Sequence, residues 1–220
     1  MLGFAIHTAS PQLGLMLQGT NRNSQPISRH QVWDLGRNVS SHLHEKMLKF
    51  IAPYTWQDLE FIAVAKGPGG FTGTRIGVVA ARTLAQQLKI PLFGVSSLAA
   101  LGNTHIGKNH SDAAASQIIE KDIAIAMAAK REAVFGAIYR SDETGDWIAI
   151  RPDEVVPINE WQMILEKWER PLTTVQTAAG EGLAESVKGV MEIAIARYEQ
   201  GDRPDWSSVM PFYGQHPVQR

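Results

Sequence analysis

Residues 66–82 read KGPGGFTGTRIGVVAAR, a glycine-rich loop between a predicted strand and a predicted helix. The strand is the nearly continuous apolar run at residues 59–65, as is typical of a buried strand. Glycine and proline end this strand, because glycine tolerates backbone angles that other residues avoid and proline fixes its own. The helix is expected over about residues 74–88, and a hydroxyl of Thr72 or Thr74 would accept hydrogen bonds from its first free amides.

Such a loop could cradle an anion, since free amides at the start of a helix carry partial positive charge. Its spacing differs from the two familiar phosphate loops. Nucleotide hydrolases place Lys and then Ser or Thr after the last glycine, whereas Lys66 precedes the glycines here. In the pattern G-x-G-x-x-G the third glycine would stand at Thr72, but it comes one place later. We therefore interpret the loop as structural, a tight turn with close packing, and it comprises Gly67, Pro68, Gly69, Gly70, Phe71, Thr72 and Gly73.

The composition is that of a globular protein with a sizeable core. The chain has 220 residues, of which 44% are hydrophobic and 20% charged, which suits one large domain or two small lobes. The formal net charge of -1 argues against strong binding of nucleic acid by this chain alone, because such binding depends on neutralising phosphates. The absence of cysteine excludes disulfides and thiol chemistry. The sequence shows no basic leader and no apolar run of membrane-spanning length, so we expect a cytoplasmic protein.

Hydrophobic patterns along the chain predict an α/β protein. Antiparallel strands at the N-terminus are followed by a helix, the strand and helix of the glycine loop, and a strand that ends near Ser96. A polar stretch at residues 102–111 has turn chemistry, so we expect a boundary there between lobes at 1–102 and 103–220. The later elements are predicted as strands near 122–127, 133–139, 147–150 and 173–178 and helices near 158–168 and 186–198.

The loop, its helix and the following PLFGVSSL at residues 91–98 resemble the TsaB family, whose signature reads G-P-G-S-F-T-G-x-R-I-G and continues to a P-x-x-G-V-S-S-L-like strand end. The resemblance covers the N-terminal half well and the C-terminal half loosely. Gly70 stands where the family usually has Ser, and one physical reason would be a positive φ angle that Ser resists. The resemblance implies the actin-like ATPase fold, which is related to ribonuclease H, with two lobes and mixed sheets flanked by helices.

The same resemblance implies a function. TsaB-like proteins are partners of a TsaD-like catalytic paralogue that makes threonylcarbamoyladenosine in tRNA, in an assembly that also includes a TsaE-like ATPase. The expected role is a non-catalytic subunit that binds and orders the paralogue, meets tRNA only through the complex, needs no cofactor, and could form a homodimer. The alternative is an actin-fold kinase, ATPase or metallohydrolase that acts alone.

His7 occupies a position that separates catalytic from non-catalytic members of this fold. Active members of the fold begin their first hairpin with Asp, which helps to hold Mg²⁺ and phosphate, and a neutral imidazole is a poor ligand for this cation. His7 is either a general base or a polar residue hydrogen-bonded at a strand end. A second carboxylate is missing at residues 127–130, which read MAAK where the family often has I-D-A-R. We therefore assign no catalytic, cofactor-binding or metal-binding residue.

Two other histidines could be mistaken for a metal site. His42 and His44 lie on a predicted helix at about residues 35–51. Residues two apart on a helix point to different sides, so these two side chains are not expected to share one ion.

The two helices of the N-terminal half are predicted to lie side by side and to offer a protein interface. On the second helix, valines flanked by arginines on an outer face are either covered by the same chain or belong to a contact with a partner. The predicted interface comprises Leu35, Val39, Leu43, Met47, Arg75, Val78, Val79 and Arg82.

Overall fold

A five-stranded mixed sheet forms the first half of the molecule. The computed structural model describes residues 1–21, 23–109, 122–141, 147–178, 180, 182–212 and 214. The strand order is β3-β2-β1-β4-β5, in which β1 pairs antiparallel with β2 and parallel with β4. The strands are β1 (Leu2–His7), β2 (Gln12–Thr20), β3 (Pro26–Asp34), β4 (Phe61–Ala65) and β5 (Leu92–Val95).

The second sheet repeats this topology with four strands. Its order is β8-β7-β6-β9, with β6 antiparallel to β7 and parallel to β9. The strands are β6 (Asp122–Ala128), β7 (Ala133–Ser141), β8 (Trp147–Pro157) and β9 (Leu172–Thr177). Each strand predicted from the sequence has a counterpart here, although β8 runs well past the predicted residues 147–150.

Five α-helices cover the sheets: α1 (Val39–Ile51), α2 (Phe71–Leu88), α3 (Ser97–Asn109), α4 (Ile158–Glu166) and α5 (Val187–Glu199). The prediction that α1 and α2 cover one face of the first sheet is confirmed, since both contribute to one buried cluster with β1, β2 and β4. On the opposite face, a second cluster joins the first sheet, the second sheet, α3 and α5 in one core. None of the helices in the described ranges has the length and hydropathy needed to cross a membrane.

Half of the predicted interface is buried inside the chain itself, and the placement of both valines of α2 on its outer face is wrong for Val78. An amphipathic helix has one apolar stripe, and the sheet of the same chain covers that stripe first. On α2, Val78 is 1% exposed whereas Val79 is 62% exposed, because successive helical residues differ by about 100°. The buried members are Val39, Leu43, Met47 and Val78, and Leu35 is partly buried against the same cluster.

The helix starts also differ from the prediction. A short 3₁₀ turn at residues 36–38 precedes α1, and Gly36 has a φ of 54°, so Leu35 lies outside the helix. At α2 the helix begins at Phe71 rather than Thr74, and no side chain caps it. The hydroxyl of Thr74 instead donates to the carbonyl of Gly70 at 2.9 Å.

The polar stretch after Leu101 is helical rather than a turn, as far as residue 109; its last two residues lie outside the described part of the chain. Gly102 lies within α3, where an added Cβ would approach Ile125 Cδ1 and Trp147 Cζ3 to 2.8 Å. The glycine thus permits close packing of the helix on the second sheet rather than ending it. The division of the chain into 1–102 and 103–220 stays a proposal.

Candidate functional site

A cleft of about 1130 Å³ opens where three turns meet. One side is formed by the β1–β2 turn at Ala9 and Ser10 together with the glycine loop at residues 68–74. The other side is formed by the β6–β7 turn at residues 127–131 and by Gly180. Equivalent turns of the two repeated sheets therefore face each other across the cleft.

Three glycines hold the loop and α2 against the β1–β2 turn. A Cβ at Gly69 would lie 2.3 Å from the carbonyl oxygen of Ala9, and a Cβ at Gly73 would lie 2.2 Å from that of Thr8. A Cβ at Gly77 would lie 2.1 Å from Thr8 Oγ1. The spacing of the glycines is a sequence signal for this contact: Gly73 and Gly77 are four residues apart and therefore lie on one side of α2, and Gly69 precedes them at the same spacing.

Hydrogen bonds complete the same contact. Thr8 Oγ1 donates to the carbonyl of Gly73 at 2.8 Å, and the amide of Gly70 donates to the carbonyl of Ala9 at 2.6 Å. The proposed positive φ at Gly70 is wrong, since its φ is -61°. Gly67 has the left-handed conformation instead, with a φ of 98°. The loop is thus fixed by close approach of backbones, and Gly70 is the glycine that this approach does not require.

His7 ends β1 beneath this contact and is fully buried. The amide of Ala9 donates to His7 Nδ1 at 3.4 Å, and Nε2 has no hydrogen-bond partner among the described residues. Burial lowers the pKa of His7 to about 3, because the charged imidazolium loses its hydration. The imidazole is therefore neutral at physiological pH and a poor general base. Of the two interpretations, the structure favours the polar residue at a strand end, with only one of its nitrogens hydrogen-bonded.

The charges at the cleft are positive. Arg37, Lys130 and Arg131 line it, and its described lining contains no carboxylate. The β6–β7 turn is shaped by Arg131 and Glu132, whose φ angles are 61° and 53°. In the part of the chain that the structure describes, no three His, Cys, Asp or Glu side chains cluster in a way that could hold a metal ion.

The outer face of α2 starts at the rim of the cleft and is the part of the predicted interface that remains accessible. Arg75 stacks on the ring of Phe71, with its guanidinium carbon 3.6 Å from the ring centroid. Val79 follows one turn later, and Arg82 Nη1 lies 3.2 Å from Met210 Sδ. We call Phe71, Arg75, Val79 and Arg82 the α2 outer strip.

His42 and His44 lie away from this strip, on α1. His42 Nδ1 is 3.5 Å from Glu45 Oε2, and His44 is exposed.

Known sequences and a family model match this chain. The family model described as "TsaD: tRNA N6-adenosine threonylcarbamoyltransferase" matches residues 40–149, half of the chain. The protein named tRNA threonylcarbamoyladenosine biosynthesis protein TsaB of Bacillus subtilis is 33% identical over 161 residues, which cover 72% of this chain and 64% of the relative. The protein of the same name from Buchnera aphidicola (subsp. Schizaphis graminum) is 30% identical over 145 residues, covering 63% of this chain and 65% of the relative. The chain thus matches slightly less than two thirds of the length of these relatives.

A solved structure agrees over nearly the whole chain. It is that of an uncharacterized protein with similarity to peptidase YEAZ from Pseudomonas aeruginosa, with a TM-score of 0.71 and 18% identity, and the match covers 97% of this chain and 99% of that one. With the repeated sheet topology, this match confirms the predicted fold, an actin-like ATPase fold related to ribonuclease H. The chain therefore belongs to the family that the matching model describes, and within it to the TsaB/YeaZ-like members.

Proposed function

We propose that this chain is a non-catalytic partner subunit in threonylcarbamoyladenosine biosynthesis, the pathway that the names of its relatives give. The observation that carries the proposal is His7, a buried neutral imidazole at the place where active members of the fold have Asp. An imidazole in this state neither coordinates Mg²⁺ well nor accepts a proton at neutral pH. In this role the cleft would not need the carboxylates that hold Mg²⁺ in active members of the fold.

The proposed task of the subunit is to bind and order a TsaD-like paralogue. The α2 outer strip suits this task, because it combines an exposed aromatic ring, an exposed valine and two arginines, residue types common at interfaces. It lies beside the cleft, so a partner docked there would also contact the glycine loop. The same strip would serve a homodimer in the absence of the paralogue. A TsaE-like ATPase and tRNA would join only in the assembled complex, in the cytoplasm.

The neighbouring valines of α2 allow a sharp test of this surface. Val79→Asp places a carboxylate in the proposed contact, where its desolvation is costly, but leaves the core intact. We expect the variant to unfold at the same temperature as the parent chain and to lose co-purification with its TsaD-like paralogue. Ile158→Asp, at a comparably exposed apolar position on α4, is the matched control and should keep partner binding.

Two results would contradict the proposal. If Val79→Asp binds the paralogue as well as the parent chain does, the interface lies elsewhere. If Ile158→Asp abolishes binding as completely as Val79→Asp, the effect is not specific to α2. Val78→Asp is a separate reference for misfolding, because it buries a charge in the core and should yield little folded protein.

The alternative, an enzyme acting alone, has one observation in its favour. The cleft is large, and Arg37, Lys130 and Arg131 give it the charge that a phosphate-bearing ligand requires. Steady hydrolysis of ATP by the purified chain, lost on Gly69→Ala and retained on Val79→Asp, would establish this alternative and exclude the non-catalytic role.

A further inference from the structure

A second cavity, of about 700 Å³, lies where the end of β5 meets the second sheet. It is walled by β5 and the start of α3, by β7 and β8 of the second sheet, and by α5. Its lining is mixed: polar and charged side chains share the wall with the apolar residues Val95, Trp147, Ile193 and Phe212. Its volume lies within the range of small-molecule pockets, roughly 300–1,000 Å³.

The polar centre of this cavity is Asp153. Its Oδ1 accepts hydrogen bonds from Ser96 Oγ at 2.9 Å and from the hydroxyl of Tyr139 at 2.5 Å. Within the described residues no donor reaches Oδ2, although Asp153 lines the cavity. Burial raises the pKa of Asp153, while the bonds from Tyr139 and Ser96 and the nearby charge of Lys66 act in the opposite direction. One oxygen of a largely desolvated carboxylate is thus left for a ligand.

The cavity also contains the ammonium group of Lys66, which acts on Asp153 through its charge. Lys66 is fixed through its backbone, whose amide donates to Val95 and whose carbonyl accepts from Phe212. Its side chain lines the cavity and forms no hydrogen bond or ion pair with the described residues. Arg197, the other cation of the wall, is already paired with Asp202, with nitrogen–oxygen distances of 3.0 and 2.9 Å.

We propose that this cavity binds a small zwitterion of amino-acid size. Its amine would contact Asp153 Oδ2, its carboxylate would contact Lys66, and an uncharged side chain would lie against Trp147 and Phe212. A buried charge is stable only when it is paired. Lys66 and Asp153 already act on each other through their charges, without a direct hydrogen bond between them. A ligand of a single charge would compensate one of the two groups and disturb this balance. A zwitterion pairs with both, which is why we favour it over a simple amine or a simple acid.

The test uses L-leucine and two analogues that each lack one of its charges. Isothermal titration of the 220-residue chain should show saturable, one-to-one binding of leucine. Isoamylamine, which lacks the carboxylate, and 4-methylpentanoate, which lacks the amine, should each bind at least about tenfold more weakly. Lys66→Gln should lower the affinity for leucine to that for isoamylamine, because the substitution removes the partner of the ligand's carboxylate. Lys49→Gln, at an exposed lysine of α1, should leave the affinity unchanged.

Several outcomes would overturn the proposal. The first is the absence of saturable leucine binding. Equal binding of leucine and both analogues would show an apolar cavity that recognises no charge. Unchanged affinity in Lys66→Gln would place the ligand elsewhere. Asp153→Asn is a second variant that should lose the preference for leucine over 4-methylpentanoate. If the loss of the carboxylate prevents that variant from folding, Lys66→Gln decides the question alone, since the Lys66 side chain forms no hydrogen bond or ion pair with the residues that the structure describes.

Discussion

Gly69 and Gly70 are neighbours in the loop, but only one of them is confined by its surroundings. An added Cβ at Gly69 would lie 2.6 Å from the Cβ of Ala9, whereas at Gly70 the nearest atom is 3.5 Å away, an ordinary contact. We expect Gly69→Ala to lower the free energy of unfolding by about 1–3 kcal/mol, because the backbones must separate. Gly70→Ser should change it by less than about 0.5 kcal/mol. Urea unfolding of the two variants measures both, and a larger loss for Gly70→Ser would contradict the packing argument.

His7 should make the stability of the protein depend on pH. Its pKa is about 3 in the folded chain and 6.5 when unperturbed. Below pH 6.5, His7 therefore binds a proton in the unfolded chain but not in the folded chain. The contribution of His7 to the free energy of unfolding is thus fully present above pH 6.5 and falls as the pH drops towards 3. Between pH 7 and pH 5, this histidine should lower the free energy of unfolding by about 2 kcal/mol. Unfolding in urea at both values should show that loss in the parent chain and in the exposed control His44→Gln, but not in His7→Gln. An equal loss in His7→Gln would mean that other groups are responsible.

At the scale of elements, α2 shows what a sequence can and cannot predict. The order of strands and helices was readable because apolar runs, periodic patterns and glycine-containing turns mark them directly. The face of α2 that meets the sheet was predictable only in part: the small residues Gly77, Ala80 and Ala81 mark it and are buried, but Val78, predicted on the outer face, is buried as well. The contact with Thr8 and the sheet instead determines how α2 is rotated about its axis. This rotation buries Val78 and leaves Val79 in solvent. A propensity-based interpretation failed at Gly102 for a related reason: a partner across the core, not the local sequence, determines its role.

The candidate sites depend on contacts between distant parts of the chain. The glycine loop and the change at His7 were visible in the sequence through a resemblance to known proteins. The Ser96–Asp153 bond was not, since it joins residues 57 positions apart, one directly after β5 of the first sheet and the other on β8 of the second. Such a pair becomes predictable only when the packing of the two sheets on a shared core is known.

At the scale of the whole molecule, residues 204–212 follow the second sheet in the sequence but pack against the first sheet. The carbonyl of Pro204 accepts a hydrogen bond from the amide of Leu92 on β5, at 3.2 Å. Val209 is buried with the core of α1 and α2, and its Cγ1 would lie 2.8 Å from a Cβ at Gly94. The backbone of Phe212 then bonds to Lys66 at 2.7 Å. The segment therefore covers the edge strand β5 and links the two halves of the fold.

This arrangement predicts that the first sheet depends on residues near the end of the chain. Val209→Asp would bury an unpaired carboxylate beside β5, and we expect it to lower the free energy of unfolding by about 2–4 kcal/mol. The amide of Leu92 should also lose protection from hydrogen exchange, because the segment that holds its hydrogen bond would detach. Met210→Asp is the matched control: its side chain is 55% exposed, so the free energy should change by less than about 0.5 kcal/mol. Equal effects of the two variants, or unchanged exchange at Leu92 in Val209→Asp, would show that the segment lies on the first sheet without stabilising it.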